Sequence, residues 1–365
     1  MQHYKTIICL CTCLLASPKL GAQNTAGFLV RDLDSAKNAV VTWHPILGYT
    51  PETRLAFGGA SIILFKDSAQ NLYNTVNPFF VYTLNKQMKF VVLANLYPGR
   101  HDIEGRFEAT RFPQFFYGIG NSNGTQSVTY NLQTLGFNVR YLYQVKKNIK
   151  LGGNLLFYGN DCQQFDYHAL TNSEVRGIEK NIIAGLGGAL KIDARDNNLY
   201  AKKGYYLAIN NLVYSKWLLS DYNMARNSFD ARYYLTPYNS FFTMAFQFYN
   251  QVVTGKSIPF YLLPRIGGEN RLRGINSYRF IDNVSMLIQG EGRLRLFENI
   301  GLNFFAGTGD VAQGYNNYKA SALKVAGGFG IRLNLLKKGT MNLRADYGFS
   351  NTGDSGFYIG IGEVF

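Results

Sequence analysis

The segment Gly267-Gly268-Glu269-Asn270-Arg271-Leu272-Arg273-Gly274-Ile275 is where residue type and spacing promise the most defined chemistry. Gly267, Gly268 and Gly274 permit backbone bends that a Cβ would forbid. Arg273 carries a planar, permanently charged guanidinium fork. Such a group is too costly to leave unpaired in a confined interior. The chemistry on offer is ion pairing, not bond making. A solvated loop arginine is the alternative for an isolated Leu-Arg-Gly tripeptide.

Other motifs offer less. Gly185-Leu186-Gly187-Gly188 and Gly118-Ile119-Gly120 look like fragments of a dinucleotide fingerprint, but neither opens a helix, so both read as strand glycines. There is no P-loop. His44, His101 and His168 have no metal-ligand spacing. No nucleophile elbow and no clustered Ser/His/acid trio is present. The expectation is a protein without catalysis, metal or cofactor.

The elements that must position Arg273 are strands. Period-2 alternation recurs from end to end, and helical period does not. Leu323, Val325, Phe329, Ile331, Leu333 and Leu335 fall on one face, with Lys324, Arg332 and Asn334 on the other. Met341, Leu343, Ala345, Tyr347 and Phe349 likewise oppose Asn342, Arg344, Asp346 and Gly348. In 284–296, Val284, Met286, Ile288, Leu294 and Leu296 oppose Gln289, Glu291, Arg293 and Arg295. A soluble sandwich also alternates, but large apolar residues opposite charges interleaved with glycine fit lipid outside and a polar lumen inside.

Strands are expected near 40–49, 54–65, 78–84, 89–97, 101–112, 127–145, 148–159, 182–194, 204–215, 224–235, 240–252, 284–297, 299–309, 322–336, 340–349 and 355–365. That makes sixteen, and an even number puts both termini on one side, as bacterial barrels require. Tight connections at Pro98-Gly99-Arg100, Lys146-Lys147, Pro237-Tyr238-Asn239, Phe297-Glu298-Asn299 and Lys337-Lys338-Gly339 fall on that terminal side. Longer ones, at 113–126, 160–181, 253–283 and 310–321, fall on the far side. A connection at 66–77 breaks this pattern. The run Phe357 to Phe365 reads as a closing amphipathic strand, with Phe365 as a terminal aromatic of the kind that sorts outer-membrane barrels.

Composition agrees. Of 365 residues, 15% are aromatic and only 16% charged, against roughly 25% charged in soluble domains. High aromatic content without long charge runs excludes disorder. Outside the N-terminus there is no apolar stretch of the about 18 residues that a spanning helix needs, and the mean hydropathy is −0.11. The formal charge of +14 is dispersed among turns rather than gathered in a stripe, which argues against nucleic acid. Lys5 before the apolar run 7–16, with Gly21-Ala22 as a cleavage site, reads as a secretory leader over 1–22. Its removal takes Cys9, Cys11 and Cys13 and leaves Cys162 alone, so no disulfide framework is expected. Residues 23–39 would then be a short periplasmic segment, and 40–365 the barrel.

Leu272-Arg273-Gly274-Ile275 resembles a motif of a known family, the surface-antigen superfamily of the barrel-assembly insertase BamA, its relative TamA and the two-partner secretion transporters. In that family a Val/Leu-Arg-Gly-Phe/Tyr motif tips the sixth extracellular loop. The loop folds into the lumen, where its arginine meets acidic residues of nearby strands. Asp193-Ala194-Arg195-Asp196-Asn197 with Lys203-Gly204-Tyr205-Tyr206 resembles the family's turn between strands eight and nine, with the usual proline replaced around Ala201. Leu343-Arg344-Ala345-Asp346-Tyr347-Gly348 resembles the penultimate strand. Phe112-Pro113 and Tyr117-Gly118-Ile119-Gly120-Asn121 resemble loop sequence of Bacteroidetes-type members. The order matches from about residue 40 to the end.

Two departures stand out. Ile275 replaces an aromatic. Gly307, in Asn303 to Gly309, stands where the family's Phe-x-Asp-x-Gly has its acid, which removes a usual partner of Arg273. The resemblance implies Glu291 as the remaining partner, with Asp346 as a supplement. The alternative pairs Glu291 with Arg293 or Arg295 instead. The few residues before strand one leave no room for the POTRA repeats or lipase domain that many members carry, so a barrel-only member is expected. The resemblance further implies a role in inserting or translocating proteins, or lipids, through a lateral seam. A passive pore, or a structural barrel held in a complex, is the runner-up. Expected partners are outer-membrane lipid and outer-membrane or periplasmic proteins, or a second copy of the chain.

Overall fold

The structure, a computed structural model, describes residues 40–50, 54–67, 72–163, 165, 166, 168, 175–238, 241–334 and 341–365. The leader expected over 1–22, the segment 23–39 and the turn Lys337-Lys338-Gly339 lie outside these. The first eight strands are β1 (Val40–Thr50), β2 (Arg54–Asp67), β3 (Leu72–Thr83), β4 (Met88–Leu96), β5 (His101–Phe116), β6 (Val128–Lys146), β7 (Ile149–Gln163) and β8 (Asn181–Asp193). The remainder are β9 (Gly204–Tyr214), β10 (Met224–Tyr238), β11 (Phe242–Gly255), β12 (Val284–Arg295), β13 (Ile300–Ala312), β14 (Lys324–Asn334), β15 (Asn342–Ser350) and β16 (Ser355–Ile361). All sixteen form one sheet in chain order, each antiparallel to the next.

The alternation that builds these strands also sorts their faces. On β14, Val325, Phe329, Ile331 and Leu333 are about half exposed, while Lys324 and Arg332 are buried. On β15, Tyr347 and Phe349 are exposed while Asn342, Arg344 and Asp346 are buried. The arrangement inverts a water-soluble protein: apolar side chains face outward, and polar and charged ones line the inner face. Lipid as outer solvent makes that inversion favourable.

The sheet curls until its ends share a core. Ile62 and Leu64 of β2 and Tyr73 of β3 cluster with Met341, and Ile361 of β16 and Leu199 pack against them. Among the described residues no backbone ladder joins β16 to β1.

The structure corrects the sequence expectation in four places. The supposed loop 66–77 is mostly strand, because β2 runs to Asp67 and β3 starts at Leu72. Its polar residues suggested a loop but belong to the inner face: buried Asn74 accepts from the Tyr97 amide, and Thr75 accepts from Asn95. β5 runs on to Phe116, past Phe112-Pro113. Met341 is buried rather than outward, being enclosed by the cluster just described. β16 ends at Ile361, not at 365, because Gly362 takes φ +84° and turns the chain inward. That left-handed conformation suits glycine.

The outward face sets the first test. Phe329 is 55% exposed and is flanked on its neighbours by Phe304 and Tyr347. Phe329→Arg should cost about 2–4 kcal/mol if this position lies near the bilayer midplane. Denaturant unfolding from lipid vesicles would measure it; an unchanged stability would place this face in water.

Candidate functional site: a buried guanidinium network

The connection from β11 to β12 is held by its own backbone before any side chain acts. The Leu272 amide donates to the Ile266 carbonyl, and the Gly268 amide to that of Ile275. Gly268 and Gly274 take φ of +112° and +105°, a region that disfavours other residues. At Gly274 a Cβ would also lie 2.5 Å from the Phe349 nitrogen, and one at Gly348 would lie 2.7 Å from the Arg273 carbonyl carbon. The loop backbone therefore rests directly on β15. The Gly274 amide reaches further and donates to Tyr358 Oη of β16, at 2.9 Å.

This seating delivers Arg273, only 1% exposed, to the inner face. One guanidinium nitrogen donates to Glu291 of β12 and another to Asp346 of β15. The guanidinium carbon stands 3.7 Å from the centre of the Phe305 ring of β13. Glu291 also accepts from Arg293 Nε at 2.9 Å, so both pairings considered for it coexist. Asp346 also binds Arg332 and Arg344. Arg332 continues to Glu363 at 2.9 Å, and Arg344 returns to Glu269 on the loop. The network joins four guanidiniums, of Arg273, Arg293, Arg332 and Arg344, to the carboxylates of Glu291, Asp346, Glu363 and Glu269. Removing a charge from water costs several kcal/mol, so only dense mutual pairing makes such a cluster tolerable. Arginine's flat fork supports it by binding carboxylates while stacking on a ring.

Leu272 and Ile275 are fully buried with Ile266, Phe280, Leu287 and Val311. Ile275 thus serves as a core residue where an aromatic ring was the family expectation. Gly307 also has a structural reason: a Cβ there would fall 2.7 Å from Leu272 Cδ2 and 2.7 Å from Gln289 Cβ. A side chain at 307 and a docked Leu272 compete for one space. Gly267 is similarly hemmed in, by the Asn276 carbonyl oxygen 2.4 Å from its would-be Cβ. Sequence reasoning overlooked Phe305; its signal was an aromatic in register with the polar positions Asn303 and Gly307. Phe365, expected on the closing strand, instead packs inside with Ala201, Tyr234 and Ala245. Its carbonyl oxygen accepts from Arg293 at 2.8 Å.

Contacts at both ends of the inner face reinforce the network. On the far side, buried Arg279 donates to Asp354 and to the Thr352 and Asn123 carbonyls. Asn276 also binds Asp354. The loop is thereby tied to the β5–β6 and β15–β16 connections. On the terminal side, the β8–β9 connection lies across the interior. Asn198 exchanges hydrogen bonds with the backbone of Tyr73, the Arg293 guanidinium stands over the Tyr200 ring, and Ala201 packs on Phe365. Arg195 of this connection forms a fork with Asp193 at 2.8 and 2.7 Å. Burial works against its charge, but the Asp193 carboxylate outweighs that and holds the guanidinium above its ordinary pKa. A polar cavity of about 200 Å³ remains beside it, lined in part by Tyr97, Lys191, Tyr206 and Arg232. Among the described residues no group of three or more His, Cys, Asp or Glu could hold a metal.

Asp346→Asn would leave three guanidiniums short of a charge and Glu291→Gln two. Asp346→Asn should destabilise the folded protein by about 3–5 kcal/mol, the cost of breaking a buried pair, and Glu291→Gln by less. Equilibrium unfolding in detergent would rank them; wild-type stability for both would exclude the network as a structural constraint. Gly274→Ala should lift the loop from β15, and limited proteolysis would detect it as new cleavage between 256 and 283.

Comparison with known proteins places this geometry. No curated protein matches the chain by sequence. Among solved structures, BamA from Haemophilus ducreyi lacking POTRA domains 1–3 is 12% identical, with a TM-score of 0.57 over 89% of this chain and 70% of that one. CdiB from Acinetobacter baumannii is 13% identical, with a TM-score of 0.53 over 88% of this chain and 58% of that one. CdiB from Escherichia coli is 12% identical, with a TM-score of 0.53 over 88% and 62%. The chain thus spans about three fifths of either CdiB, and at these identities the likeness is one of fold. The model of the Omp85 superfamily domain matches residues 82–365, well over half the chain, so the chain belongs to the Omp85 superfamily and its sheet is an outer-membrane β-barrel.

Proposed function

We propose that this barrel inserts or translocates proteins, or lipids, at the outer membrane through a lateral seam between β1 and β16, with the β11–β12 loop seated in its lumen as the sixth extracellular loop. The observation that carries the reading is the bond from the Gly274 amide to Tyr358 Oη. It links the loop, pinned by Arg273, to the last strand. β16 is short, Ser355–Ile361, and among the described residues its ladder is with β15. An unpaired strand edge recruits another strand, so a seam opening there could template a client. Gly356 and Gly360 in β16 weaken pairing locally. Partners are then outer-membrane or periplasmic proteins that deliver clients, together with the surrounding lipid. Side-chain catalysis has no part in this reading.

A passive pore is the competing reading, and the packing of the inner face opposes it. The loop and its Arg279–Asp354 tie occupy the far end. The β8–β9 connection and residues 362–365 occupy the terminal end, with Ala201 against Phe365.

Two measurements separate the readings. Depletion of the protein should lower the abundance of its client outer-membrane proteins in a quantitative membrane proteome; unchanged levels of every outer-membrane protein would count against insertion. In planar bilayers the purified protein should be closed most of the time. A steady, large conductance would favour the pore.

A further inference from the structure

The most exposed large apolar side chain among the described residues is Trp217, at 96%, with Leu219 close by at 72%. Both lie in the β9–β10 connection. This connection is short and firmly built. Lys216–Leu218 form one 3-10 turn, whose N-cap Ser215 accepts from the Trp217 amide. The Ser215 carbonyl accepts from Leu218 and Ser220, and Asn223 Oδ1 accepts from the Lys216 amide. The connection is also tied to β8: the Asp221 amide donates to the Ile182 carbonyl, and the Ile182 amide donates to the Asp221 carboxylate. Leu219 is held at φ +68°, a conformation that a leucine rarely takes. Hydrogen bonds and the left-handed Leu219 thus hold this turn in one conformation with two apolar side chains facing out.

We infer that the β9–β10 tip is a bilayer-interface anchor whose occupant is the headgroup and upper acyl region of the lipid. Continuity with the lipid-facing wall carries the argument. Tyr205, Ile209 and Val213 form the exposed apolar row of β9, and Trp217 is exposed in the turn just past its end. At about 3.3 Å per residue and a tilt of about 40°, roughly ten residues from Tyr205 climb about 25 Å, the height of a barrel's apolar band. Tyr205 therefore falls at one interface, and the tip at the other. An indole is suited to that position, having an apolar body and one N–H donor. Lys216, exposed beside it, supplies a cation for lipid phosphate. By strand order the tip lies eight strands from β1 and seven from β16, on the wall opposite the two sheet ends. An anchor there holds the barrel's depth fixed while the far wall is left free to move. The inference rests on the barrel's bilayer setting and not on the seam, so the two can fail separately.

The chain has two tryptophans, Trp43 and Trp217, which makes the test direct. Trp43→Phe leaves Trp217 as the sole indole in the full chain. Reconstituted in phosphatidylcholine–phosphatidylglycerol vesicles, it should emit to the blue of the urea-unfolded protein. Lipids brominated near the headgroup end of the acyl chain should quench it more than lipids brominated near the chain terminus. Emission as red as in urea, with no loss in either brominated lipid, overturns the inference and leaves the tip for water or a protein partner. If Trp43→Phe does not fold, the difference between wild type and Trp217→Phe isolates the same signal under the same two criteria.

Discussion

A charge drawn out of water must meet an opposite charge, and the inner face of this barrel is organised around that requirement. Arg273 arrives on a loop, so its partners must come from strands remote in sequence: Glu291 on β12 and Asp346 on β15. Each partner is shared, which spreads the constraint outward. Asp346 draws in Arg332 and Arg344, Glu291 draws in Arg293, and Glu363 balances Arg332 from beyond the end of β16. Displacing any member removes part of the pairing of its neighbours, and a buried guanidinium short of its counter-charge costs several kcal/mol. The loop and the last strands therefore behave as one unit, although only side chains and a few amides join them.

Much of this was legible in the sequence, because a membrane barrel writes its faces in period two. The strand count, the division into tight and long connections, and the polar register of Glu291 and Asp346 all follow from that pattern. What stayed hidden is what period two does not encode. Met341, just before β15, and Ile62 on β2 lie far apart in the chain and become core only because the sheet curls. Asn74 and Thr75 looked like loop residues, since polarity on an inner face resembles polarity in a turn. Phe305 is an apolar ring facing inward, a position that alternation assigns to polar groups; it is there because a guanidinium stacks on it. Residues 362–365 continue an apolar run, yet one left-handed glycine sends them inside.

On the terminal side one short segment reaches several parts of the barrel at once. Residues 198–201 touch β3, the cluster at the meeting of the sheet's ends, Arg293 and Phe365 within four consecutive positions. Few short segments can reach so many strands unless they run across the interior. The Asn198 amide contacts there are neutral, while Tyr200 under the Arg293 guanidinium joins the segment to the charged centre.

The departure at Gly307 bears on how the loop is coupled to the seam. Where similar chains are expected to carry an acid on this strand, the space here belongs to Leu272 and Gln289. The second carboxylate comes instead from Asp346, two strands further along the sheet. β15 is the neighbour of β16, so the arginine's hold falls next to the strand that a lateral opening would release. A carboxylate on β13 would have pinned the loop to a wall that need not move. With Asp346 as its partner, the loop is tied to the neighbour of β16, and under the proposed lateral opening a displacement of β16 would reach Arg273 through Tyr358 and β15. Glycine in place of the acid therefore makes room for Leu272 and leaves Arg273 held by Glu291 on β12 and by Asp346 on β15, beside the strand that the proposed lateral opening would release.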